Sequence, residues 1–453
     1  MRIAALLLAG VLAGCAPLPR DTAPPDATGT DALPPMKTFA PARPGMTPVS
    51  NLRLAQDFLD LSFQMESGRD LRVMTRFEGP ITLRVTGTPA PTLSGDLSAL
   101  LQRLRTEAGI AITRVPADQP ANITIESLPR AQLQRLVPRA ACFVAPRVDS
   151  WKAYRRVRRS SVVDWAVLND RTQVAVFLPG DVSPQEVRDC LHEELAQALG
   201  PLNDLYRLPE SVFNDDNFHN VLTGYDMLIL RAYYAPELRN GMTRDQAAAR
   251  LPGILARLNP RGQGLGGTAR VQPTPRAWID AMELALGPRI SNSRRRAEAA
   301  RALGIARGLG WRDNRLGFSL FAQGRLNQAD DADLALASFV AAQQVFLSDP
   351  ATRLHAAHVA MHLAAYALTT GEFTTAIAMI NDNLAPVMQA QNAALLATML
   401  MVKAEALEAT DRPAEARAVR LDSLGWARYG FGSETEIRRR LREVAALNPK
   451  GRS

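Results

Sequence analysis

The side chains in this chain that could do chemistry gather in one segment, Cys190-Leu191-His192-Glu193-Glu194-Leu195-Ala196-Gln197-Ala198-Leu199-Gly200-Pro201-Leu202-Asn203-Asp204. A histidine followed by glutamate invites metal-assisted hydrolysis, in which two imidazoles one helical turn apart hold zinc and the glutamate activates its water. That chemistry needs a second histidine one turn after His192, and the position holds Ala196. At about 100° per residue, His192 also points away from Glu193 and Gln197, which project nearly together. The frame one residue later is more coherent. Glu193 and Gln197 would be two metal ligands on one helix face, Glu194 a general base, and Asn203 or Asp204 a third ligand just beyond the helix. Carboxylates and amides are hard oxygen donors, suited to Ca²⁺ or Mg²⁺ rather than to zinc. The same residues can equally fix the following loop by hydrogen bonding Asn203 and Asp204 with no metal. A resident cofactor is therefore not expected, a divalent metal stays open, and a catalytic Glu194 depends on that metal.

These side chains need a helix to carry them and a sheet to seat the helix. Ser183-Pro184-Gln185-Glu186 starts one, with Ser at the N-cap, Pro in the first turn and Glu three residues after the cap. Gly200-Pro201 stops it. Val187, Leu191, Leu195 and Ala198 form its core face, with Glu194 at the edge. Strand-like runs lie at 81–85, 110–113, 123–125 and 173–178, and helical patterns at 49–66 and 94–107. Strands alternating with helices predict a sheet covered by helices. Cys142 and Cys190, the cysteines left once Cys15 is set aside, are expected to form a disulfide worth roughly 4 kcal/mol. A metal-ligand or nucleophile role for Cys190 is the alternative.

The spacing Glu193-Glu194-x-x-Gln197-x-x-Gly200-x-x-Asn203 resembles the His-Glu-x-x-His-x-x-Gly-x-x-His of metzincin-type peptidases, with the histidines replaced. Together with Arg76-Phe77-Glu78-Gly79-Pro80-Ile81, Leu222-Thr223-x-x-Asp226 and the stretch from Leu230 to Met242, that helix resembles the bacterial domain of unknown function 2927 over about residues 50–250. The family is similar to zincin-like peptidases. The resemblance implies a zincin-like α+β fold and an ancestry, and would put Gly241-Met242 where metzincins carry their Met-turn. His219 could supply a missing imidazole were its loop to fold back; otherwise it is a surface or packing residue.

Upstream, Arg2 precedes an apolar run that ends in Leu12-Ala13-Gly14-Cys15. This is a secretory signal whose end resembles the bacterial lipobox, which implies lipidation of Cys15 and, with Ala16 following, an outer-membrane anchor. Nine prolines between Ala16 and Pro48 predict a semi-rigid tether reaching on the order of 100 Å. A Gly/Pro/Arg-rich linker begins at Asn259. Beyond it, residues 277–448 are rich in Ala, Leu and Arg at helical period. Ala335-x3-Phe339-x2-Ala342, Gly371-Glu372-Phe373-Thr374-Thr375-Ala376 and Asp411-Arg412-Pro413-Ala414-Glu415-Ala416 resemble tetratricopeptide positions at about 40-residue spacing, a little over the usual 34 or so. A plain helical bundle is the alternative there.

The 453 residues thus divide into a signal peptide (1–14), a lipidated cysteine with tether (15–48), a zincin-like α+β domain (49–258), a linker (259–276) and an all-α, tetratricopeptide-like domain (277–453). Hydrophobic content of 47% and charged content of 22% exclude wholesale disorder. The chain has no nucleophile elbow and no phosphate loop. A net charge of +8, with Arg155-Arg156-Val157-Arg158-Arg159 and Arg294-Arg295-Arg296, permits an anionic partner. In an envelope setting that partner is anionic lipid or wall polymer rather than nucleic acid. The expected function is that of an outer-membrane lipoprotein, its degenerate zincin-like cleft and helical groove together forming a non-catalytic binding or scaffold module for an envelope protein or wall polymer. The rival is a metal-dependent peptidase or wall-processing hydrolase with non-histidine ligands.

Overall fold

The computed structural model describes residues 33–40, 45–266 and 272–452. The expected signal peptide, Cys15 and the first half of the tether lie outside the described residues. After α1 (Asn51–Ser62) the chain builds β1 (Ile81–Gly87), α2 (Leu93–Arg103), β2 (Ile112–Arg114), β3 (Ile123–Leu128), α3 (Arg130–Gln134), β4 (Phe143–Pro146), α4 (Trp151–Val157), β5 (Val174–Pro179), α5 (Pro184–Leu199), α6 (Gly224–Tyr233) and α7 (Arg244–Leu258). The five strands order β2-β1-β3-β5-β4, parallel except for β4, which pairs antiparallel with β5 at the edge.

Period-2 alternation explains the two faces. Ile123, Ile125, Val174, Val176 and Leu178 turn to the large core shared with α1, α2, α5, α6 and α7. Ala175 and Phe177 turn to the other face, where α3 and α4 cover them with Leu133 and Trp151. The expected helix over 94–107 is α2 followed by a π-turn at Leu104–Ala108, closed by Gly109 at φ 74°. The disulfide between Cys142 and Cys190 pins the edge strand to α5 across a sequence separation of 48. Replacing both cysteines by alanine should lower stability by about 4 kcal/mol in the chain-entropy account. Urea unfolding measures this, and an unchanged midpoint would show that the sheet holds β4 unaided.

The all-helical half runs α8 (Arg276–Leu286), α9 (Asn292–Gly308), α10 (Asn314–Asn327), α11 (Ala332–Leu347), α12 (Arg353–Thr369), α13 (Phe373–Gln389), α14 (Ala393–Glu408), α15 (Pro413–Gly430) and α16 (Glu434–Ala445). The strongest packing joins α10 with α11, α12 with α13, and α14 with α15, so the array is built of helix pairs with short turns. Small residues let the aromatic ones in: a Cβ on Gly317 would lie 2.5 Å from the Phe346 ring.

The two halves do not hang as separate beads. Tyr206 and Phe218, from the loop between α5 and α6, are buried in the helical core. Gln185 donates to Asn392 Oδ1 (3.1 Å) and accepts from Ala394 N (2.8 Å), while Arg188 donates to the Gln391 carbonyl (2.8 Å). Part of the expected tether also departs from expectation. Phe39 stacks on Trp426 at 4.5 Å between centroids, Lys37 pairs with Asp422, and Arg428 donates to the Pro34 carbonyl (3.0 Å). Residues 33–40 therefore lie along α15 rather than standing off the body. Proline counting overlooks that Leu33 and Phe39 are apolar anchors.

Candidate functional site

Helix α5 forms where its start signal sits: the Ser183 hydroxyl accepts from Glu186 N. Its far end is held by Arg171, a buried guanidinium that donates to the carbonyls of Gln197 (2.7 Å), Ala198 (2.7 Å) and Gly200 (3.0 Å) and lies over the Trp165 ring. Val187, Leu191, Leu195 and Ala198 are fully buried as the core face. His192 is buried as well, its Nδ1 accepting from Leu222 N (3.2 Å), so it anchors a loop rather than facing the site.

Glu193, Glu194 and Gln197 face a cavity of about 490 Å³. Glu66, Asp204 and Asp215 share its wall with Cys142, Phe143 and Val144 at the edge strand, and among the described residues Arg139 is the one cation in that wall. Gln197 Nε2 lies 3.5 Å from Asp204 Oδ2. Glu194 is only 4% exposed, and its Oε2 has no hydrogen-bond partner, nor has Asp204 Oδ1. Of the residues singled out in the sequence, Glu193, Glu194, Gln197 and Asp204 are thus brought together. Asn203 is not, because its amide turns away and donates to the Asp60 carbonyl (2.9 Å). Glu66 and Asp215 escaped sequence reasoning. The run Asn214-Asp215-Asp216-Asn217 was the available signal for the second, while nothing in the composition around Glu66 marks it.

Five carboxylates around one cavity cannot all ionise freely. Burial first, then repulsion from Asp215, Glu66 and Asp189, pushes Glu193 up to about 8. Burial, with Glu66, Glu283 and Asp216 nearby, raises Asp215 to about 7. Glu194 and Asp204 are driven well above the carboxylate range for the same reasons, burial leading in both. A divalent cation would reverse this logic by favouring the charged forms. Among the described residues, the one close group of metal-capable side chains is Cys142, Glu193 and Glu194, whose ligand atoms lie within 4.8 Å of one another. Cys142 is bonded to Cys190, so neither sulfur is available as a thiolate ligand or nucleophile. What remains of the close group is the carboxylates of Glu193 and Glu194, hard oxygens of the kind that suits Ca²⁺, Mg²⁺ or Mn²⁺ rather than a histidine-held zinc, with Glu66, Asp204 and Asp215 farther round the same cavity. His219 lines a narrow adjoining crevice with Glu193 and Asp215 but stays outside that close group.

The loop from 200 to 223 carries two of the carboxylates and is clamped from both sides. Toward α1, Arg207 pairs with Asp57 and with Asp60 (2.8 Å). Asp226 caps α6 in a capping box with Thr223 and also takes Val212 N (3.2 Å). Toward the helical half, Asp216 accepts from Phe218 N (3.1 Å) and meets His355 Nε2 at 3.0 Å. Arg76 donates to the carbonyls of Tyr233 and Ala235 (3.0 Å each), and Asn240 accepts from Arg76 N, so these two motif residues are a structural clasp. Met242 is buried in the core with its carbonyl taking Met74 N.

Residues 51–253 match the family described as Protein of unknown function (DUF2927). The matched stretch holds the whole sheet, α5 and all five cavity carboxylates, and it ends within α7, before the helical half begins. No curated protein matches the chain.

Proposed function

We propose that this protein is a cell-envelope lipoprotein whose zincin-like cleft is a cation-dependent binding site rather than a peptidase centre, with the helical half acting as a tetratricopeptide-like contact surface. The observation that carries the reading is the concentration of Glu66, Glu193, Glu194, Asp204 and Asp215 around one cavity, with Arg139 as its single cation among the described residues. A site that gathers uncompensated negative charge, with buried oxygens left unpaired, is built against its own stability, and function is the usual reason. The zincin-like reading is supported by a mainly parallel sheet whose antiparallel edge strand walls the cavity beside α5. Envelope placement is supported by the sequence ending in Cys15 and by a disulfide, which persists in oxidising compartments. The partner class that fits is an envelope protein or wall polymer reached through the cleft and the helix pairs.

The test is metal content and thermal stability of wild type and of Glu193→Ala with Gln197→Ala, in the presence of Ca²⁺, Mg²⁺, Mn²⁺ or Zn²⁺. One equivalent of a hard divalent cation, a raised melting temperature, and loss of both in the double variant are expected. In cation-free protein near neutral pH, Glu194→Gln should raise the melting temperature, because it removes a buried carboxyl that the fold must hold protonated while the unfolded chain ionises it. Absence of binding by any of the four ions would end the cation reading. One feature favours hydrolysis as a second reading: Glu194 Oε2, buried and unpartnered, sits where a general base would. Turnover of peptide or peptidoglycan substrates that Glu194→Gln abolishes would put that reading first.

A further inference from the structure

The chain's excess positive charge is concentrated in one place. Residues 130–160 contain nine basic side chains and one acid, an excess equal to the net +8 of the whole protein, so the rest carries as many acids as bases. This segment is α3 and α4, which cover the outer face of the sheet, with the edge strand β4 and the turns between them. Arg130 pairs with Glu186, and the lone acid, Asp149, is taken by Arg84. Arg135, Arg139, Arg147, Lys152, Arg155, Arg156, Arg158 and Arg159 make no ion pair with any described residue, and what sets them apart from the unpaired arginines elsewhere is that eight of them fall within 25 residues with one acid among them. Unpaired cations at this density repel one another and are retained where an anionic surface neutralises them.

We infer that this layer is a docking face for an anionic lipid bilayer. Its aromatic rings point inward: Phe143, Trp151, Tyr154 and Phe177 pack on one another at 5.0–6.2 Å, and Trp151 is 4% exposed. Trp151 and Phe177 are buried and Phe143 and Tyr154 are half-buried against them, so none of the four stands free as the flat platform a sugar ring stacks on. What reaches the surface among the arginines is aliphatic, Val162 at 38% exposure with Val157 and Val163 partly exposed beside it. Cations ringing small apolar groups suit the headgroup boundary, where phosphates meet the guanidinium groups and the methyls sit at the acyl edge. Arg139 and Phe143 also border the α5 cavity, but the other seven unpaired cations do not line it, and the inference does not depend on the cation reading.

The test uses the chain from residue 16 onward, which holds every described residue and has no lipid-acceptor cysteine. Flotation with vesicles of phosphatidylcholine plus one quarter phosphatidylglycerol should recover the protein at low salt and release it as salt rises, while pure phosphatidylcholine vesicles should not recover it. Arg155→Glu with Arg156→Glu and Arg159→Glu should weaken partitioning by about 100-fold. The same three positions as alanine should weaken it less. Arg250→Glu with Arg294→Glu and Arg353→Glu changes net charge equally outside the layer and should weaken it less than about 3-fold. Equal loss in both reversal sets, or equal recovery by neutral vesicles, overturns the inference. Binding to a soluble polyanion such as heparin without binding to anionic vesicles overturns it too, and makes the face a polymer site.

Discussion

Neutralising the cleft with Glu193→Gln, Glu194→Gln, Asp204→Asn and Asp215→Asn should produce a cation-free protein that loses stability steeply between pH 7 and pH 5, while the wild type stays nearly level. Two buried sets of groups with opposite signs cause this. His219 and His362 are held down to about 3 by burial, and His192 and His358 also lie well below the imidazole range, burial again leading. Around His358 stand His355, His362, Arg325 and His219, all cationic or able to become so. Below about pH 6.5 the unfolded chain takes protons that these folded imidazoles refuse. Each then costs on the order of 1 kcal/mol of stability per pH unit. The cleft carboxylates run the other way. Their folded-state affinity for protons is raised, so their contribution is fully present below the ordinary carboxylate range and is lost as pH rises, through about 8 for Glu193 and about 7 for Asp215. Acidification therefore gains in the cleft what it loses at the histidines. Removing the carboxylates exposes the histidine slope, which urea midpoints at pH 7, 6 and 5 would read. Parallel curves for variant and wild type would refute the opposition.

Phe218→Ala should cost about 3–5 kcal/mol and also weaken the cleft's response to cations, although Phe218 lies outside it. The ring is 3% exposed and sits among Phe318, Phe321, Phe346, His355 and His358 at 4.3–6.1 Å. It is a wedge from one half driven into the core of the other, two residues after the Asp216 that meets His355 and three after the cleft's Asp215. Truncation leaves a cavity and frees the loop, so the carboxylate at 215 loses its fixed place. Phe218→Leu should recover most of both effects. The paired readouts are a denaturant midpoint and the melting shift induced by Ca²⁺ or Mn²⁺; a lowered midpoint with an unchanged cation shift would mean that Arg207 and Asp226 hold the loop alone.

Most of the first half was legible in the residues because its signals are local. The Ser183-Pro184 start, the Gly200-Pro201 stop and the 100° arithmetic together place Glu193 and Gln197 on one face and His192 off it, as the structure has them. Four of five strands were readable from β-branched runs. Strand β4 was not, being four residues long and ending in Pro146, which an edge position tolerates. What stayed hidden depends on pairing across long sequence separations. Glu66 reaches the cavity from a turn after α1, Asn203 is diverted by a carbonyl in α1, and the wedge at Phe218 makes sense only with α10–α12 in view. Helix pairing in the second half follows from period and turn residues, but its fusion to the first half follows from individual aromatic side chains that no pattern marks.

The strip from 33 to 40 has a mechanical consequence. Because Phe39, Lys37 and the Pro34 carbonyl are bound to α15, tension applied to the chain ahead of residue 33 is delivered first to the last helix pair, in shear along several contacts at once. The sheet and its cleft, although they follow the strip directly in sequence, feel that pull through Arg188 of α5, whose guanidinium lies over the Phe39 ring. The strip and α15 thus act as one fastening, and the cleft helix is tied to it at a stacked side chain.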